Sequence, residues 1–370
     1  MTLGGCWAGS GLLTQSVLRA AQARAQAKYT LPALFDIQKV ADGIYAAIAR
    51  PTAIINCNAA IFEGASEIVV VDAHSTVTAA TSLVAQLRRD VTSKPVRYIV
   101  NTHFHGDHVQ GTPTYKRIAP HADVVASEAT RQRLAEDDGR GVRQAVEQAR
   151  KTLDAHQQKA GAANSAEEKA YWRKMADEVA SFISEMKDYV PELPAVTFDH
   201  DLILRDQAHD LHLAFRGRGH TEGDIFVYCP QKKVVAAGDL LHSFSPYIGD
   251  GFPKEWPRTL DNLAGFGWEK AIGGHGSVHQ DRRRLADMRA YLEELAEVVG
   301  KAKSEGRPLQ EVQKMVTPES LKSLANGYGR FFAAERFKGT PHAPGESAGD
   351  LLAGAVRTNV AEVYRNVERS

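Results

Sequence analysis

From residue 38 the chain runs in short apolar stretches separated by Gly, Asp and Ser, the pattern of strands and turns. QKVADGIYAAIA (38–49), AIINCNAAIFEG (53–64) and EIVVVDAH (67–74) read as antiparallel strands, with the DG and EGAS pieces as turns. TVTAATSLVAQLRRDV (76–91) switches to a helical period, with Ser75 or Thr76 placed to cap its start. VRYIV (96–100) is a β-branched run that reads as a buried strand. Residues 127–188 change character, being rich in Ala, Glu, Lys, Arg and Gln with a break at GAANS (161–165), and predict two or three helices inserted into a β-rich order. Strand-like pieces return in DLHLAFRGRGH, DIFVYCP and KKVVAAGDLL, the last two forming a hairpin that turns at Pro230 to Lys233. Helical stretches follow AIGGHG: LADMRAYLEELAEVVGKAK, then a loop at 337–349, then a set ending in AVRTNVAEVYRNVER. No repeat at a solenoid period is present.

Composition narrows the functional classes. At 370 residues the chain can hold one large core or a domain with sizeable additions, and 43% hydrophobic residues with 24% charged is ordinary globular usage. Lys+Arg and Asp+Glu balance at 45 each, so no electrostatic argument favours nucleic acid or an anionic membrane. No apolar run approaches the roughly 18 residues that span a bilayer. Cys6, Cys57 and Cys229 lie far apart and suggest neither a disulfide framework nor a sulfur-ligated metal; Cys229, inside DIFVYCP, reads as a small buried hydrophobe. LLTQSVLRAAQARAQAKYT (12–30) resembles the tail of an export signal, yet no Lys or Arg precedes Arg19 and the apolar run is short. Periplasmic or exported and cytoplasmic locations both stay open.

The chemistry concentrates where VRYIV ends. NTHFHGDHVQG (101–111) places His103, His105, Asp107 and His108 within six positions, at the strand end where α/β proteins build their sites. His103 and His105, two apart, can approach one ion together, while Asp107 and His108 sit a turn further on and can face a second. GRGHTEGD offers His220, GGHG offers His275, and AAGDLL ends an apolar strand on Asp239; flanking glycines allow the backbone to come close to a metal. Neutral imidazole and carboxylate suit zinc, which supplies hydroxide near neutral pH, and two ions roughly 3.5–4 Å apart could share it.

HxHxDH followed by GHTEGD, GD and GGHG in that order resembles the metallo-β-lactamase-fold metallohydrolases, over about residues 37–279, with VVVDAH supplying the strand and aspartate (Asp72) that usually precede the motif. The resemblance implies an α/β (α+β) fold: an αββα sandwich with a helical insertion at 127–188 and a helical C-terminal extension. It divides the chain into an N-terminal segment (1–36, a signal remnant or a plain helix), a catalytic domain (37–280) and the extension (281–370). It also implies two Zn2+ per chain, with iron or manganese as alternatives: His103, His105 and His220 on one, Asp107, His108 and His275 on the other, and Asp239 between them. The best-known metallo-β-lactamases carry Cys or Ser near that bridging position, whereas glyoxalase II, lactonases and the hydrolases of quinoprotein and sulfur-oxidation systems resemble this chain in using Asp. The implied activity is attack by a metal-bridging hydroxide on an ester, thioester, lactone or amide, a β-lactam included. The alternatives are a mononuclear iron dioxygenase of the same fold, built on the His103, His105, His220 side, and a non-catalytic binding protein.

Around the ligands, Asp107 is also a candidate to orient water or act as general base. His242 and Tyr247, on or beside SFSPYIGDGFP, are candidate proton donors or oxyanion partners. Asp72 reads as a brace for the histidine loop, and His74 as either a pocket residue or a surface histidine. The expected partner is a small-molecule substrate. The 127–188 insertion either caps the site and selects that substrate or presents a homodimer surface.

Overall fold

Seven strands form the first sheet in chain order: β1 (Phe35–Ala41), β2 (Ile44–Ala49), β3 (Ala59–Glu63), β4 (Ile68–Val71), β5 (Val96–Val100), β6 (Asp123–Ser127) and β7 (Val196–Phe198). Pairing is antiparallel through β4 and parallel from β4 to β7. The second sheet holds β8 (Asp201–Leu204), β9 (Leu211–Phe215), β10 (Ile225–Cys229), β11 (Val234–Gly238) and β12 (Lys270–Gly273), in the order β12-β11-β10-β9-β8, with only β11 and β12 parallel. These coordinates are a computed structural model describing residues 31–369, so the export-signal reading of residues 12–30 lies outside the described residues.

The sheets face each other across an apolar layer, which explains why the strand sequences are nearly continuous hydrophobic runs. In β3, Ala60 and Phe62 point into that layer, while Ala59 and Ile61 point outward beneath α1 (Val77–Asp90). In β10, Ile225, Val227 and Cys229 point inward, and Phe226 and Tyr228 outward beneath the C-terminal helices. Each fully buried Ile, Leu or Phe contributes about 1.5–3 kcal/mol of transfer free energy. Helix α1 starts where the sequence predicts, with Thr76 Oγ1 accepting the Ala79 N–H at 3.0 Å, and it lays Ala79, Ala80, Leu83 and Leu87 on the first sheet.

Two one- to two-turn helices, α2 (Gly106–Val109) and α3 (Thr112–Ile118), follow β5. Between β6 and β7 come α4 (Glu128–Asp137), α5 (Arg140–Ala162) and α6 (Ala166–Met186), with the α5–α6 break at the predicted GAANS. Val142, Val146, Ala149, Val179 and Phe182 give α5 and α6 their own apolar cluster, which also takes in Ala53 and Ile54. AIINCN is therefore not strand. Its first residues pack on the insertion, and β3 starts only at Ala59. On the outer face of the second sheet lie α7 (Trp256–Ala264), α8 (Arg283–Ser304), α9 (Leu309–Met315), α10 (Lys322–Ala325), α11 (Tyr328–Gly339) and α12 (Ala348–Asn366). The architecture is thus αββα, and β1 begins at Phe35, ahead of residue 37. Among the described residues no helix is long and apolar enough to cross a membrane.

Candidate metal centre

The predicted ligands sit at strand ends, on the loops or short helical turn that follow them. His103 and His105 leave β5, and His105 occupies the N-cap position of α2, whose first turn carries Asp107 and His108. His220 lies between β9 and β10, Asp239 directly follows β11, and His275 follows β12. The loop after β5 is fixed from within: Asn101 Nδ2 donates to the His108 carbonyl at 3.0 Å. Asp72, at the end of β4 with φ +70°, accepts the Thr102 N–H at 2.8 Å and the Thr102 hydroxyl at 3.0 Å.

The structure brings the predicted side chains together in two groups joined by a third. His103, His105 and His220 offer ligand atoms within 4.8 Å of one another, and so do Asp107, His108 and His275; His103, His108 and Asp239 connect them. Asp239 faces both sides, with Oδ1 3.4 Å from His108 Nε2 and Oδ2 3.5 Å from His220 Nε2 and 3.4 Å from His275 Nε2. Asp107 Oδ2 lies 3.2 Å from His275 Nε2 and 3.5 Å from His108 Nε2. Gly274 makes this approach possible, because a Cβ there would sit 1.8 Å from Asp239 Oδ1 and 3.0 Å from the His108 ring.

In four of the five histidines the far nitrogen sets the tautomer. His108 Nδ1–H donates to Asp72 at 2.8 Å, His105 Nε2–H to Asp250 at 3.0 Å, and His220 Nδ1–H to the Tyr247 carbonyl at 3.0 Å. The Thr102 hydroxyl, its proton given to Asp72, accepts from His103 Nδ1–H at 2.9 Å. The near nitrogens are thereby left with lone pairs directed at the cluster. Electrostatics divide the site. Burial, reinforced by the neighbouring imidazoles, pushes His103 well below the ordinary histidine range, and burial does the same to His220. At His275 burial acts downward, yet Asp239 and Asp107 raise it to about 9, and at His108 Cys57 together with Asp72, Asp107 and Asp239 overcomes burial and raises it. Burial would raise Asp107, but His108 and His275 hold it at about 2. The carboxylates thus attract positive charge, which a metal cation would supply in place of protons.

The residues fit such a cation. His103 Nε2, His108 Nε2 and Asp239 Oδ1 are buried with no hydrogen-bond partner, a costly state that coordination would relieve. Imidazole and carboxylate together form a zinc-type donor set.

The site opens into a cavity of about 580 Å3, whose walls include His242, Tyr247 and Asp250 and, from the C-terminal helices, Arg336 and Asn359. His242 is buried, and its Nδ1 accepts the Phe244 N–H at 3.3 Å, which puts the ring proton on Nε2, an atom with no protein partner. Burial lowers its pKa to about 4, so it is neutral. Tyr247 is 47% exposed; its carbonyl accepts from His220, and its ring stands edge-on to the His105 and His220 imidazoles at 5.5 and 6.1 Å. His74 is neither pocket nor surface: it is fully buried against Phe35, with Nδ1 3.3 Å from the Cys57 carbonyl.

Sequence reasoning missed the residues that brace the ligands from elsewhere. Asp250 holds His105, and Asp224 is buried with Thr221 N–H and Oγ1–H on its carboxylate, shaping the His220 turn; burial raises it to about 7. Asn58 donates to the carbonyls of Gly273 and Gly276 at 2.9 Å, fixing the His275 loop. Only the aspartates within motif-bearing segments gave a signal in the sequence.

Comparison with known proteins adds the following. A sequence model of the metallo-beta-lactamase superfamily matches residues 54–275, a span that includes all seven candidate ligands. The metallo-beta-lactamase type 2 of Bacillus cereus is 34% identical over 70 residues, 17% of this chain and 27% of that protein. That of Elizabethkingia meningoseptica is 24% identical over 99 residues, 26% of this chain and 37% of that protein. The chain therefore matches well under half the length of these two relatives. Among solved structures, a metallo-beta-lactamase from Pontibacter korlensis superposes with a TM-score of 0.51 at 19% identity, over 70% of this chain and 99% of that one, a likeness of fold.

Proposed function

Because the chain belongs to the metallo-beta-lactamase superfamily, we propose that it is a dinuclear zinc hydrolase acting on an ester, thioester, lactone or amide, β-lactams among the amides. Residues 37–280 form its catalytic domain in this reading, with 127–188 inserted and 281–370 appended. The observation that carries the reading is the convergence of seven ligand-type side chains from four chain segments around three buried, unpartnered atoms. His103, His105 and His220 would hold one ion and Asp107, His108 and His275 the other, with Asp239 shared. When bound, zinc supplies Lewis acidity and hydroxide at neutral pH.

The chain's own groups do the rest. Asp107, ionised and beside His275, is placed to orient water and to accept a proton at Oδ2. His242 lines the cavity and carries a buried, unpartnered Nε2–H, which would donate to the oxygen on which negative charge develops. An aspartate rather than a cysteine at position 239 supports hydrolysis of acyl bonds broadly over a dedicated β-lactamase.

The test is metal content by mass spectrometry, paired with a screen of thioesters, lactones, aryl esters, phosphodiesters and a chromogenic β-lactam. About two zincs per chain and turnover of an acyl substrate are expected for the wild type. Asp239→Asn should retain about one zinc, and His103→Ala should lose turnover. A single iron without hydrolysis would overturn the reading in favour of the dioxygenase.

A further inference from the structure

The cavity over the metal centre contains a cation, Arg336, that makes no ion pair among the described residues, although Glu346, Asp350 and Glu362 line the same space. Arg336, on α11, lines both the 580 Å3 cavity and an adjoining one of about 210 Å3, and His275 and Phe244 line the same two spaces. Its Nε is buried without a hydrogen-bond partner, and among the described residues no carboxylate stands within ion-pair distance of its guanidinium. Glu346 acts on it electrostatically from further away. Burial depresses the guanidinium's pKa, so the charge is held against a desolvation penalty. An unpaired, half-buried arginine facing a substrate-sized space is best explained by a partner that arrives with the ligand.

Its position is fixed rather than incidental. Helix α11 is anchored to the ligand loop: Glu335 accepts the Ser277 N–H at 2.8 Å, two residues beyond His275. Gly339 lets the helix end close on Phe244, since a Cβ there would lie 2.2 Å from the ring, and Phe244 in turn stacks on the His275 imidazole at 5.6 Å and 17°. Helix α11 also lies beyond residue 275, where the family match ends, so this wall belongs to the chain's own extension.

We infer that Arg336 is the substrate-selecting residue of this pocket, and that it receives an anionic oxygen group, carboxylate or phosphate, carried by the substrate away from its scissile bond. The inference rests on the hydrolase reading. A guanidinium fork pairs two oxygens of such a group at once, which a lysine cannot do.

Three matched aryl esters test it on the zinc-loaded full chain: mono-p-nitrophenyl succinate, p-nitrophenyl phosphonopropanoate, and the neutral methyl p-nitrophenyl succinate. The wild type should prefer a charged ester over the neutral one in kcat/KM, the better of the two naming the group. Arg336→Met, which keeps the apolar stem, should cut that preference about tenfold or more, mainly through KM. Arg336→Lys should keep part of it. No preference in the wild type, or a preference within twofold of it in Arg336→Met, overturns the inference. If none of the esters is turned over, the hydrolase reading is decided by the wider screen and the metal content, and saturation-transfer NMR with succinamate and phosphonopropanamide decides this one separately. Binding by the wild type that Arg336→Met loses supports the inference, whereas binding retained by the variant, or absent from the wild type, overturns it.

Discussion

Asp72→Asn isolates a single proton. Asp72 is 2% exposed, and its carboxylate accepts three hydrogen bonds: Thr102 N–H, the Thr102 hydroxyl and His108 Nδ1–H. Its φ of +70° is one that asparagine tolerates, so the backbone should not move. The amide oxygen can still accept from Thr102 N–H, but an NH2 group replaces the oxygen facing Thr102 Oγ1 and His108. The threonine hydroxyl can rotate. The histidine has to move its proton to Nε2, the atom that faces Asp239 and the cluster, and a protonated nitrogen cannot bind a metal. Losing such an orienting partner lowers metal affinity about 10–100-fold, or about 1.4–2.8 kcal/mol. If two zincs bind as proposed, a chelator competition titration should show the weakening in the equivalent that uses His108, with a smaller change in the other. Both equivalents bound within twofold of wild type would refute the tautomer argument.

Three further outcomes follow from the packing. Asn359→Ala, at a 1% exposed site, strands the Pro246 carbonyl and the Tyr291 and Ser245 hydroxyls and should cost about 1–3 kcal/mol in urea unfolding, with weaker zinc binding alongside. An unchanged midpoint would show the loop to be held otherwise. Gly339→Ala drives a methyl into Phe244 and should destabilise by about 1–3 kcal/mol, read by the same unfolding curve. Stripping the metal should lower the thermal midpoint, since an ion at 1,000 times its Kd adds about 4 kcal/mol. Zinc should restore the midpoint and magnesium should not, because an imidazole-rich donor set is poor for a hard cation; identical melting with and without chelator would argue against a metal centre.

The site was legible in sequence to the extent that its donors are local. His103 to His108 fall within one loop because a strand end and one helical turn suffice to aim four side chains, and the short GHTEGD and GGHG turns repeat that economy. The sandwich was legible where strands are buried on both faces, as in β5, β10 and β11. Strands β7 and β8 escaped notice because they are three and four residues long and partly exposed, β12 because four residues end directly in GlyGly, and β6, though buried, because its short apolar core runs straight into the Ser127 cap of α4. Asp250, Asn58 and Arg336 carry no signature because their importance comes from distant pairings: Asn58 meets Gly273 across 215 positions, and Asp250 meets His105 across 145.

These long-range contacts make the C-terminal extension part of the site's architecture. The 242–250 loop orients two of the candidate ligands, through the Tyr247 carbonyl on His220 and the Asp250 carboxylate on His105. Ser243 donates to the His275 and Ser277 carbonyls at the start of that loop, and its latter half is held by α12 and the residues after it. Glu362 accepts the Ile248 N–H at 2.8 Å, Asn366 donates to the carbonyls of Ile248 and Gly249 at 2.7 Å, and Arg369 donates to the Asp250 carbonyl at 2.6 Å. Glu362 is itself 2% exposed, and burial raises its pKa, so its carboxylate is retained at a cost that the Ile248 and Asn359 hydrogen bonds offset. The candidate ligands His105 and His220 therefore depend for their aim, through this loop, on a helix that meets the loop across 114 to 118 positions. Truncation before Ala348 should leave both sheets' strands intact in the chain while loosening His105 and His220 together, so zinc affinity should fall further than it does in Asn359→Ala.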